Sequence, residues 1–166
     1  MKTLKILGLL LAMVVGTLAV NAQTKTYNNY GISFTYPSTL SVGKEGIEDG
    51  DFVLELRSED DYSGIIITST DNEEVISMIQ MMGIEGIFDV FKESILEGVD
   101  GVKPGSTKKI DSNTYSQPFT YTNDGVTSYA DIIMSLKGDK FVMVLLLALT
   151  QEELRNFQNV YKSIKF

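Results

Sequence analysis

The sequence predicts an α+β fold, a central antiparallel β-sheet sandwiched by helices, on three observations. Residues 141–149, FVMVLLLAL, form an unbroken apolar run with a Gly-containing turn before it and a helix-start signal after it. A strand with two apolar faces needs cover on both, which places it inside a layered sheet. Strand-like segments joined by short turns occur at both ends of the chain, the pattern of antiparallel pairing. Helical periodicity is confined to residues 71–98 and the C-terminus, and such segregation marks α+β.

Lys2 and Lys5 precede an apolar segment over residues 6–20, which is followed by Val20-Asn21-Ala22. A basic region, an apolar region and small residues, in that order, predict a signal peptide over residues 1–22, cleaved after Ala22; the alternative is an uncleaved anchor. Residues 23–166 then read as a single α+β domain of 144 residues, exported and periplasmic or extracellular. Removing Lys2 and Lys5 leaves 12 basic residues against 22 acidic, a net charge of −10. That sign argues against nucleic acid and anionic membrane surfaces as partners; its ordinary use is solubility, and it also permits a cationic partner or a divalent metal, and no stable membrane insertion is expected after signal cleavage. With no Cys in the sequence, stability must come from packing and not from disulfides.

Residues 24–29 read as a short edge strand. Residues 31–37 alternate, with Ile32, Phe34 and Tyr36 on one face, and Pro37 ends the ladder because it lacks an N–H. Residues 41–48 form a further strand interrupted by Gly43 and Gly46; residues 52–57 alternate with Phe52, Leu54 and Leu56 inward, and β-branched residues 63–70 have central character. The period changes at Asp71. Residues 71–74 predict an N-cap with Glu74 at the third helical position, followed by Val75, Ile76, Ile79 and Met82 at helical spacing. Gly83 should break or bend this helix before a second stripe, Ile84, Ile87, Phe88, Phe91 and Ile95. Residues 99–106 read as a loop, 108–116 and 119–122 as two strands, and 123–125 as a hairpin turn. Residues 126–136 are a clear strand with Ala130, Ile132 and Met134 on one face and Tyr129, Asp131 and Ser135 on the other. The apolar run follows as its inner partner, with Leu145 expected deep in the core. Thr150 to Glu153 forms a capping box for a final helix whose Leu154, Phe157, Tyr161 and Ile164 dock on the sheet.

The opening Tyr30-Gly31-Ile32-Ser33-Phe34-Thr35-Tyr36-Pro37, the two long C-terminal strands and the ending residues 157–166, FQNVYKSIKF, resemble the PsbP-like superfamily. The resemblance covers most of residues 23–166 in layout, with Leu40 near where an aromatic residue often follows the Pro. It implies an exported α-β-α sandwich and an accessory or binding role, without naming a ligand.

The absence of both His and Cys removes Ser-His-Asp and Cys-His nucleophile systems and all imidazole or thiolate metal sites. No phosphate-loop spacing occurs, and no cofactor is implied. Three groups of residues remain as candidate sites. Tyr115, Tyr121 and Tyr129 could line an aromatic cleft for sugar or peptide, with Asp131, on the face of Tyr129, either a strand-edge or hydrogen-bonded Asp or a catalytic carboxylate. Glu45, Glu48, Asp49 and Asp51 gather around two glycines in a flexible acidic stretch that could hold a hard cation. Met78, Met81 and Met82 either fill the core or form an adaptable binding surface. The expected function is an exported, non-enzymatic accessory or binding protein of unknown ligand. A carboxylate-dependent hydrolase of polysaccharide or peptidoglycan, and a divalent-cation-binding protein, are the alternatives.

Overall fold

The computed structural model describes residues 23–59, 61–97, 99, 101–123 and 125–165. The expected signal peptide over 1–22, Asp124 of the expected turn and Phe166 lie outside the described residues. In chain order the elements are β1 (Thr24–Asn29), β2 (Ile32–Pro37), β3 (Ser41–Glu48), β4 (Asp51–Arg57), β5 (Gly64–Thr70), α1 (Glu73–Glu97), β6 (Lys103–Pro104), β7 (Lys108–Asp111), β8 (Thr114–Asn123), β9 (Val126–Lys137), β10 (Lys140–Ala148) and α2 (Gln151–Ser163).

The apolar run is the inner strand β10, hydrogen-bonded to β9 on one side and β5 on the other. Around it an eight-stranded antiparallel sheet runs β3-β4-β5-β10-β9-β8-β6, with β7 also on β8. The α+β class and the central antiparallel sheet follow directly. One face is covered by α2 and by the separate β1–β2 hairpin, whose Tyr27, Ile32, Phe34 and Tyr36 pack with Leu54, Val144, Leu146, Phe157 and Val160. The other face carries α1, with Ile79, Ile84, Ile87 and Phe88 against Tyr115, Ile132, Met134 and Phe141.

Local chemistry accounts for the ends of these elements. Thr150 caps α2, its Oγ1 accepting from the Glu153 N–H at 3.1 Å. The Glu153 carboxylate accepts from the Leu149 N–H and the Ser63 hydroxyl, both at 3.0 Å, so the capping box is completed one residue earlier than its standard form. Helix α1 is capped by Asn72, not Asp71: Asn72 Oδ1 accepts from the Glu74 N–H at 2.9 Å. Gly83 has φ 74° and ψ 159°, a conformation that only glycine adopts at low cost, and it kinks α1 where the sequence places the bend. The ends of the described chain are tied together: Ser33 and Lys165 exchange backbone hydrogen bonds at 2.9 and 2.8 Å, and the Thr35 N–H donates to Ser163 Oγ at 3.1 Å.

Two expectations about strands are corrected. The break expected at residues 117–118 is absent, and Pro118 lies inside β8 opposite Asp131. The turn comes earlier, where the Asn113 N–H donates to Asp111 Oδ1 at 2.8 Å. Pro118 fits because its missing N–H points toward the gap between β6 and β7, where its carbonyl accepts from the Gly105 N–H at 2.8 Å. The second correction concerns Leu145. Val142, Val144, Leu146 and Ala148 are closed in, whereas Leu145 and Leu147, on the α1 face, are only half-buried. A helix about 10 Å across covers roughly two strands spaced about 4.8 Å apart. Helix α1 lies over β8, β9 and the start of β10, and β4 and β5 extend beyond it.

Candidate functional site

The uncovered strip of sheet forms a lane on the α1 face along β4, β5 and β10. Register sets three rows across it: Val53, Thr68 and Met143; Glu55, Ile66 and Leu145; and Arg57, Gly64 and Leu147. Each apolar side chain in these rows is half-buried. A hollow of about 350 Å³ lies at the end nearest α1, where Phe91, Phe141 and Met143 meet Glu48, Asp49 and Asp51. A second hollow, of about 300 Å³, lies at the far end, where Ile66 and Leu147 meet Glu55, Asp61 and Tyr62. The rim is mainly acidic, and its cations are already engaged: Arg57 is bound to Glu55 and faces Asp61 at 3.9 Å, and Lys44 is bound to Glu48.

Helix α1 exposes several apolar side chains among polar ones such as Gln80, Asp89 and Glu93 on its outer side. Met81 is 81% exposed, Met82 52% and Val90 58%, and Met78 is exposed too. The reading of the methionines as core filling is therefore corrected, since Ile79 alone of residues 78–82 enters the core. Flexible thioethers on a solvent-facing helix are suited to contacts of variable shape.

The acidic stretch is not a flexible loop. Asp49 and Gly50, with φ of 52° and 94°, make the tight hairpin between β3 and β4, the use for which Asp-Gly is favoured. Glu45 pairs with Leu54 and shares its face with the hairpin, whereas Glu48 pairs with Asp51 on the lane side. Glu48 is bound to Lys44 at 2.6 Å. Among the described residues no three His, Cys, Asp or Glu side chains come together in a group that could hold a metal ion. Glu45 instead stands near the buried Tyr27. Burial first, and Glu45 second, push the Tyr27 phenol above its ordinary value, although its hydroxyl meets no partner in hydrogen-bond geometry.

The expected aromatic cleft is split by register. Odd-numbered residues of β8 pair with even-numbered residues of β9, so Tyr115 and Tyr121 face α1 while Tyr129 faces α2. Tyr115 donates to Glu85 Oε2 at 2.9 Å and packs on Phe88; Tyr121 packs on Phe119. Tyr129 and Asp131 do share a face. Asp131 is 2% exposed, and its Oδ1 accepts from Ser116 Oγ and its Oδ2 from Gln158 Nε2, both at 2.8 Å. Burial pushes its carboxyl above the ordinary range, and the two hydrogen bonds and the field of Lys108 oppose that shift.

No protein-family model matches the chain. No curated protein matches it. Solved structures are similar in layout. One is the solution structure of the cyanobacterial PsbP of Synechocystis sp. PCC 6803, at 11% identity and a TM-score of 0.47, with 90% of this chain and 95% of that one covered. Another is a Pseudomonas aeruginosa protein of unknown function, at 9% identity and 0.45, covering 84% and 92%. A third, from Bacteroides thetaiotaomicron VPI-5482, gives 11% and 0.49 over 87% of this chain and 48% of that one. At this level of identity and superposition the three say nothing of ligand, partner or activity.

Proposed function

We propose that this is an exported, non-enzymatic accessory protein that holds a basic amphipathic segment of a partner protein in the lane beside α1. The observation that carries the reading is the half-covered apolar strip between two hollows, rimmed by Glu48, Asp49, Asp51 and Asp61. Apolar residues of the partner would cover Ile66, Met143, Leu145 and Leu147, and its Lys or Arg residues would meet the acidic rim. Export is supported by the basic, apolar and small-residue order of residues 1–22. Among the described residues no helix is long and apolar enough to cross a membrane.

A non-enzymatic role is supported by the residues themselves. The sequence has no His or Cys. Asp131 is the one buried carboxylate among the described residues, with both oxygens already bonded, so it lacks the facing acid that the hydrolase alternative requires.

Titration of the 15N-labelled protein with a synthetic Leu/Lys amphipathic peptide tests this by amide chemical shifts. The expected shifts map to β4, β5 and β10, and a Leu/Glu peptide of the same pattern produces none. Shifts confined to other surfaces, or equal response to both peptides, would overturn it. Export is checked by mass spectrometry of the protein from its own cells, which should give Gln23 as the first residue.

A further inference from the structure

Another concavity, of about 350 Å³, opens on the opposite face of the sheet, between its β6–β7 edge and the first turns of α2. Its floor is the stretch of β8 and β9 where Thr120 pairs with Tyr129 and Pro118 with Asp131. Lys103 of β6 and Lys108 of β7 stand along one wall; Gln151, Arg155 and Gln158 stand on one face of α2 along the other. The loop bearing the two lysines is fixed to the floor. Besides the bond from Gly105 to Pro118, Gln117 Nε2 donates to the Gly105 carbonyl at 3.1 Å, and Thr107 Oγ1 donates to Gln117 Oε1 at 3.0 Å. A side chain at residue 105 would come within 2.8 Å of the Pro118 carbonyl, so the close approach requires glycine.

The charges are what set this hollow apart. Eight of the 12 cations beyond residue 22 place their charge on a carboxylate, another oxygen acceptor or an aromatic ring; Lys44, Arg57, Lys92 and Lys140 use carboxylates. Lys103, Lys108, Arg155 and Lys165 are the other four, and none of these makes an ion pair or side-chain hydrogen bond with another described residue. Three of the four line this one hollow. In a chain with 22 acidic residues, three cations without an ion pair line one cavity that has no acidic residue in its lining, and the buried Asp131 beneath it feels the field of Lys108. Asp131 lies under the floor with both oxygens bonded, and from there it holds the Gln158 amide in place.

We infer that this cleft binds a compact polyanion, a small molecule bearing two or more phosphate or carboxylate oxyanions. Arg155 supplies the bidentate fork, and Lys103 and Lys108 supply point charges. Tyr129 and Leu154 flank the remainder of the ligand. This site lies on the other face from the lane and does not depend on it.

Isothermal titration of the purified protein with sodium pyrophosphate and, separately, with citrate tests the inference. At least one probe should bind with one-to-one stoichiometry, and the one that does distinguishes phosphate from carboxylate. Arg155→Ala should raise Kd about tenfold or more, with Arg155→Lys between it and the native protein. The Lys103→Ala/Lys108→Ala double variant should lose binding, and Lys162→Ala, outside the cleft, should not change it. All the substituted side chains are exposed, so unliganded melting temperatures should stay near that of the native protein. Absence of binding by both probes at millimolar concentration overturns the inference, as does equal weakening by Lys162→Ala.

Discussion

Truncating Leu146 and Leu145 to Ala, one at a time, separates the closed face of β10 from the open one. Leu146 has 0% exposure and packs in the core beneath the hairpin and α2. Its loss leaves a cavity that the surrounding side chains can only partly fill, a cost of about 2–5 kcal/mol. Leu145 lies between Ile66 and Ile132 in register but is half-buried on the lane side. Water reaches the space it vacates, so its cost is confined to the area it buries, about 1 kcal/mol. Equilibrium urea unfolding followed by far-UV circular dichroism reads the difference. With a slope of about 1–3 kcal/mol per molar, Leu146→Ala should lower the midpoint by roughly 1 M or more and Leu145→Ala by a fraction of that. The same logic reverses the expectation for a charge at residue 145: Leu145→Asp should retain cooperative unfolding, and Leu146→Asp should not. Equal losses from the two alanine variants, or a non-cooperative Leu145→Asp, would refute the open lane.

Two more outcomes follow from particular side chains. The native carboxyl of Asp131 titrates above its ordinary value, so between that value, about 3.9, and the raised one the folded state binds more protons than the unfolded. Its contribution to stability therefore falls as pH rises through this window. Asp131→Asn should remove that component from a plot of urea midpoint against pH, and an unchanged plot would show that Asp131 ionises freely in the fold. Gly83→Ala should destabilise by about 1–3 kcal/mol although its Cβ meets nothing within 4 Å, because the penalty lies in the backbone angle. A melting temperature equal to that of the native protein would mean that the kink can relax at little cost.

Much of the architecture is legible in residue order because local physics specifies it. The inner strand follows from an apolar run between two stop signals, the bend in α1 from Gly83, and the start of α2 from Thr150 and Glu153. Properties that depend on register are not legible in the same way. Tyr115, Tyr121 and Tyr129 look alike along the chain, yet the pairing of β8 with β9 sends them to opposite faces. Glu45 is separated from Glu48 and Asp51 by the same alternation. Pro118 looks like a strand breaker because the gap in its neighbouring edge is a tertiary fact. The cation cleft is hidden for a related reason: Lys103 and Lys108 meet Arg155 only after the sheet edge and α2 have been brought together. A complete inventory of which cations find acceptors requires the fold.

The stitch between Ser33 and Lys165 has a consequence in time. The β1–β2 hairpin shares its core with α2, although the rest of the described elements lie between them in sequence. That core cannot close until α2 has been synthesised. Tyr27, Phe34 and Tyr36 therefore gain their final cover only when α2 docks. A core closed by elements so far apart in sequence should form late in folding, after the local hairpins and helices.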